Sequence, residues 1–267
     1  MSRVAPRLGR PPALLLLPAV LAVAVLLVPM LALVTRAPLA DLPAKLTEPA
    51  VLDALWLSLW TATLAMVLCL LLGLPLAWAL ARLDFPGRTV VRTAVTVPLV
   101  LPPVVAGVAL LSAFGRTGIV GAPLRDLGIT IPFTSTAVVI AHTFVALPFF
   151  VLSVEGALRA ADPEYDEVAA VLGARRGTIF WRVTVPLALP GIGAGLVLGW
   201  ARSLGEFGAT ITFAGNYPGT TQTMPLLVYE SLQADPEAAV ALSLLLLTVS
   251  VLVLVLLRER WFGQAFR

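Results

Sequence analysis

Charged side chains are so widely spaced in this chain that much of it falls into six uncharged, mostly apolar runs. These are Ala13 to Val34, Ala54 to Ala81, Thr93 to Gly115, Leu127 to Val154, Val183 to Ala201 and Ala238 to Leu257, each 19 to 28 residues long. About 20 apolar residues carry a helix across the hydrocarbon core of a bilayer. Only 12% of the 267 residues are charged and 59% are apolar, whereas a soluble domain has about 25% and 45–50%. The chain therefore cannot cover itself with polar surface in water, and the expected class is an all-α integral membrane protein with six transmembrane helices.

The expected spans are about 13–34, 54–81, 93–115, 130–154, 184–212 and 238–257, forming a single transmembrane domain over 1–267. A further uncharged stretch, Phe207 to Tyr229, contains Asn216, Pro218, Gly219 and Gln222. These polar and helix-breaking groups would be unsatisfied in hydrocarbon, so residues 213–237 read as an outer loop with a short helix. The first run is longer than the 7–15 residues of a signal-peptide core and reads as an uncleaved anchor. Cys69 is the only cysteine, which excludes an intrachain disulfide and a cysteine metal cluster.

Orientation follows from the basic residues. With both termini inside, the cytoplasmic side collects Arg3, Arg7, Arg10, Arg82, Arg88, Arg92, Arg159, Arg175, Arg176, Arg182, Arg258, Arg260 and Arg267. The outer side keeps Arg36, Lys45, Arg116 and Arg125, with Arg202 inside a span. This is the positive-inside pattern, and an even number of spans agrees with it. A nucleic-acid partner is not expected, because no run of five basic residues occurs.

One cytoplasmic connection is distinctive. Glu155 to Arg182 carries nine charges. Asp162 suits a helix N-cap, Pro163 the first helical position, and Glu164, Asp166 and Glu167 the positive end of the helix dipole. Gly173 suits a left-handed C-terminal turn, Arg175, Arg176 and Gly177 a bend, and Thr178 the cap of a second segment running into Pro186. Residues 162–183 are thus expected to hold a short helix on the membrane surface, either unpartnered or presenting small alanines to another protein.

The spacing Glu167, Ala169, Gly173, Val183, Val185, Pro186 resembles the E-A-A, three residues, G, nine residues, I-x-L-P signature of importer-type permeases of ATP-binding cassette transporters. Val168, Val183 and Val185 are its departures. The resemblance implies the type I importer permease (MetI-like) fold and a homodimer in the bacterial cytoplasmic membrane. It also implies two cytoplasmic ATPase subunits and a soluble binding protein outside. Glu167, Ala169, Ala170, Gly173, Arg175 and Pro186 would then belong to the region coupled to the ATPase. Residues 200–232, 101–121 and 81–88 further resemble the molybdate permease branch, which includes tungstate carriers, with sulfate permeases close by. The binding protein would then be specific for molybdate.

Arg202 is the only basic residue within a span, and Glu206 lies one turn beyond it. Two readings stay open. Arg202 lines the route of the anion, with Ser203, Thr210 and Thr212 as donors, or Arg202 and Glu206 form a structural pair at the outer gate or twofold interface. His142 reads as a hydrogen-bonded packing residue. The glycines of GIGAG at 191 to 195, and Gly199, read as small-residue helix packing.

Other chemistries are disfavoured. No G-x4-G-K-[ST] loop occurs, and the only lysine is Lys45, so the chain is not expected to hydrolyse ATP itself. With no H-E-x-x-H and a single histidine, a zinc protease is excluded. No cofactor or metal is expected. An ion-coupled secondary transporter would want several buried carboxylates within its spans, and Glu206 is nearly alone there.

Overall fold

The computed structural model describes residues 13–38 and 42–262, and over that range it contains helices and loops without a strand. The chain begins with α1 (Ala13–Arg36), α2 (Leu42–Leu46) and α3 (Pro49–Leu68), which passes through a π-helical turn, Cys69–Gly73, into α4 (Leu74–Arg82). Next come α5 (Arg88–Val100), α6 (Pro103–Phe114), α7 (Gly121–Asp126), α8 (Ser135–Ala160), α9 (Glu164–Val171) and α10 (Arg176–Ile179). A second π-helical turn, Phe180–Thr184, leads into α11 (Val185–Leu204), and α12 (Gly208–Phe213), α13 (Met224–Ala234) and α14 (Pro236–Phe262) follow. Among the described residues, five rods are long and apolar enough to cross a membrane: Leu15–Arg36, Pro49–Arg82, Ser135–Ala160, Arg176–Leu204 and Pro236–Val253. Arg3, Arg7, Arg10 and Arg267, which enter the charge reading, lie outside the described residues.

Two expected spans are corrected. Residues 93–115 are not one helix: α5 stops at Val100 and α6 starts at Pro103, with Leu101 and Pro102 extended between them. Each of these two residues precedes a proline, and the proline ring disfavours helical geometry in the residue before it. The run expected over 184–212 also stops, at Leu204, and resumes as α12 only after Gly205, Glu206 and Phe207. The short helix expected within residues 213–237 is present as α13.

Both π-helical turns have a common cause. Pro75 and Pro186 each sit two residues past a π turn. A proline ring clashes with the carbonyl four residues back and cannot donate to it. Widening the preceding turn lets the rod continue through the proline.

The centre of the molecule is α8, where 61% of the most apolar stretch is buried, whereas none of the corresponding stretch of α1 is. α1 therefore lies at the periphery. The main apolar cluster joins Ala65 and Met66 of α3, Leu80 of α4, Phe150 and Val154 of α8, and Ile192 and Trp200 of α11. The expected glycine packing is present between α8 and α11. A Cβ built on Gly191 would come within 2.4 Å of the Ala157 Cβ, and one on Gly195 within 3.0 Å of the Phe150 Cα. Without side chains at these points the two backbones approach closely, which is how helices associate in lipid.

Candidate functional site

α9 starts one residue later than expected: Glu164 opens the helix and Pro163, not Asp162, is its N-cap. The Asp162 carboxylate accepts the Glu164 backbone N–H at 3.0 Å, and three acidic residues occupy the first turn. The far end closes on Gly173, whose φ is +83°. There the Gly173 N–H donates to the Ala170 carbonyl at 2.9 Å and the Ala174 N–H to the Ala169 carbonyl at 3.1 Å. This double closure satisfies carbonyls that a helix end leaves orphaned. Arg175 is extended and stands as the N-cap just before α10. Thr178 is not its cap, because the helix already includes Arg176 and Gly177. Pro186 sits past the π turn at the root of α11, apart from α9 along the chain.

The two faces of α9 differ sharply. Only Asp166 and Ala169 are partly covered, and a spacing of three puts them on one side. Outward stand Tyr165, Val168, Val171 and Leu172, the last two 88% and 81% exposed. Glu167 and Ala170 are exposed as well and border a cleft shared with Arg82, Trp78 and Arg176.

The inward carboxylate of Asp166 touches two membrane rods. One oxygen accepts the Thr184 hydroxyl at 2.9 Å, and Thr184 is 2% exposed. The other lies 3.3 Å from Nε of Arg82, the last residue of α4. That nitrogen makes no hydrogen bond among the described residues, so the Arg82 contact is one of charge without directional alignment. Arg82 also donates through Nη2 to the Ala161 carbonyl at 3.3 Å.

Beside it, the Leu80 carbonyl in the last turn of α4 accepts from Arg88 Nη2 at 2.6 Å, Arg92 Nη2 at 3.4 Å and Arg159 Nη2 at 3.4 Å. Cations suit the negative end of a helix. Glu155, 4% exposed, is paired with Arg92 and accepts from Arg159 Nε at 2.9 Å. Sequence reasoning assigns no role in the site to Arg82, Asp166, Thr184, Arg92, Glu155 or Arg159. The one signal for them is the i, i+4 placement of Glu155 and Arg159.

At the other end of α11, Arg202 and Glu206 do meet. Arg202 Nη1 is paired with one Glu206 oxygen, and the other accepts the Ala209 N–H at 2.8 Å. Glu206 is 1% exposed. Ser203 is buried and donates to the His142 carbonyl at 3.3 Å, while Thr212 donates to the Gly208 carbonyl at 2.8 Å. Thr210 is buried and its hydroxyl has no partner among the described residues. His142 is buried as expected, but the hydrogen bonding expected of its ring is absent: neither ring nitrogen has a partner among the described residues. The polar stretch between α12 and α13 is organised by Glu230, which accepts from Asn216 at 3.0 Å and Gln222 at 2.6 Å.

Comparisons with known proteins agree with this architecture. The chain is 52% identical over 228 residues to the molybdenum transport system permease protein ModB of Mycobacterium tuberculosis, covering 85% of this chain and 86% of that one. It is 38% identical over 188 residues to the sulfate transport system permease protein CysT of Escherichia coli, covering 70% and 68%. In fold it is similar to a chain of a bacterial ABC transporter involved in the import of the acidic polysaccharide alginate, with a TM-score of 0.74 at 19% identity, covering 93% of this chain and 94% of that one. Residues 70–264 match the model for binding-protein-dependent transport system inner membrane components, and the chain belongs to that family.

Proposed function

We propose that this chain is the permease subunit of an ATP-driven importer that carries molybdate, or its near-isostere tungstate, across the bacterial cytoplasmic membrane. Two copies enclose the path. An ATPase subunit docks under each copy, and a soluble binding protein delivers the anion from outside. The chain itself contributes no nucleotide site; ATP hydrolysis belongs to the partner.

The observation that carries this reading is the outward face of α9. Tyr165, Val168, Val171 and Leu172 form an exposed apolar ridge on a helix opened by three acidic residues. A ridge of this kind fits a groove on another protein. Glu167 and Ala170 flank it, and the Gly173 turn fixes its end. When ATP draws the two ATPases together, the ridge moves with them, and the path opens outward to receive the anion. The cargo rests on relatedness: identity to the molybdenum permease is 52%, against 38% to the sulfate permease. A sulfate or thiosulfate permease is the second reading, and that margin favours molybdate.

Uptake of radiolabelled molybdate by vesicles carrying the complete transporter tests the cargo. Tungstate should compete at equimolar concentration, and sulfate should not compete even in large excess. Equal competition by sulfate would transfer the assignment to the sulfate branch.

A further inference from the structure

The face of α9 turned toward the protein holds a single charged group, and that group is bonded to two different membrane rods. Asp166 accepts the Thr184 hydroxyl at 2.9 Å and lies 3.3 Å from Nε of Arg82. Thr184 is the last residue of the π-helical turn from which α11 rises, and Arg82 is the last residue of α4. We propose that Asp166 is the transmission point of the transporter: it clamps the ends of α4 and α11 to the docking helix so that displacement of α9 moves both rods together. This rests on the reading of α9 as the element that meets the ATPase.

The chemistry of the two contacts suits the task. The Thr184 contact is a directional hydrogen bond to a charged acceptor, with the donor buried at 2% exposure. It fixes the orientation of α9 relative to α11. The Arg82 contact is unaligned and coulombic, so it tolerates rotation while still resisting separation. Arg82 is steadied by its bond to the Ala161 carbonyl, and the neighbouring Leu80 carbonyl is held by Arg88, Arg92 and Arg159. A pull on Arg82 therefore reaches α5 and α8 through polar contacts. The remaining partly covered residue of α9, Ala169, has no polar side chain to transmit force.

The test measures molybdate uptake and ATP hydrolysis separately, in the same vesicles containing the complete transporter, for D166N, T184V, R82Q and R82K. D166N keeps the acceptor for Thr184 but removes the charge, T184V keeps the shape but removes the hydroxyl, and R82K keeps the charge without the guanidinium. For D166N, T184V and R82Q, the number of anions carried per ATP should fall by about tenfold or more, while hydrolysis per assembled complex stays within about twofold. R82K should retain the native ratio, because an unaligned contact needs only the charge.

An unchanged ratio in D166N, T184V and R82Q would overturn the proposal, as would uptake and hydrolysis falling in proportion with a lowered melting temperature, which marks a purely structural clamp. Failure of R82K alongside R82Q would overturn the charge argument and the proposal with it. Including G173V separates this from the docking reading. If G173V is inactive while the other variants keep their ratio, the clamp alone is wrong. If G173V transports normally, α9 is not the docking element and both fall.

Discussion

Both carboxylate oxygens of Glu206 are engaged, one by Arg202 and the other by the Ala209 backbone N–H at 2.8 Å. The side chain thus pairs a charge at the end of α11 and starts α12 across the break between them. This favours the structural reading of Arg202 and Glu206 over the anion route. Removing Arg202 strands a carboxylate that is 1% exposed, so Arg202→Met should destabilise the chain by about 3 kcal/mol, toward the lower end for a broken buried pair. Arg202→Met with Glu206→Gln keeps an oxygen for Ala209 and leaves no charge unpaired. Its thermal stability in detergent and its molybdate uptake should both return close to wild type. A double mutant as stable as wild type that carries less than about a tenth of the anion would mark Arg202 as a contact of the cargo; that threshold corresponds to about 1.4 kcal/mol.

The glycines facing α8 should differ in tolerance from Gly177 in α10. Gly191→Ala places a Cβ 2.4 Å from the Ala157 Cβ and 2.7 Å from the Ser153 carbonyl, neither of which can swing aside. A loss of about 1–3 kcal/mol is expected for such overpacking. Gly177→Ala meets nothing within 4 Å and should leave the melting temperature unchanged or slightly raised.

Glu155→Gln should destabilise only moderately. The carboxylate is buried, but the Arg92 and Arg159 side chains are 37% and 45% exposed and can turn to water once released. The expected loss is about 1–2 kcal/mol, well below that of a fully buried pair. Asp84→Ala removes an ion pair whose carboxylate is 98% exposed, and its effect on thermal unfolding should be within error.

Features set by nearest neighbours in the chain are legible in the amino-acid sequence itself. Gly173 turns left-handed because the helix preceding it ends there and only glycine enters that region without strain, so its spacing from Asp162 and Glu167 is enough to reveal it. The interruptions escape the same reading, although their causes are in the sequence. Counting the gaps between charges is blind to backbone geometry, so Pro102 and Pro103 pass as part of a span and Gly205 as part of a helix. The Asp166 clamp and the arginines around the Leu80 carbonyl lie beyond reach for another reason. They join residues 8 to 84 positions apart, and the packing of α4, α5, α8 and α11 brings the distant ones together.

Gly173→Val should be the most damaging single change in and around α9. A β-branched residue at φ +83° carries a penalty of about 1–3 kcal/mol, and escaping it would undo the double closure onto the Ala169 and Ala170 carbonyls. The protein should still insert, since α9 lies outside the rods, but ATP-driven uptake should be lost. Glu167→Ala should weaken copurification with the ATPase and lower uptake in step. Normal uptake by either variant would remove α9 from the coupling role.

Under the proposed function, this chain moves its anion only when a partner hydrolyses ATP. The direct measurement is molybdate accumulation in liposomes containing the chain alone, the chain with its ATPase, and both with the binding protein, each with ATP or under an imposed proton or sodium gradient. Accumulation is expected only in the complete, ATP-supplied system, with no response to either gradient. Accumulation by the chain alone under an ion gradient would contradict that function and identify a secondary transporter instead.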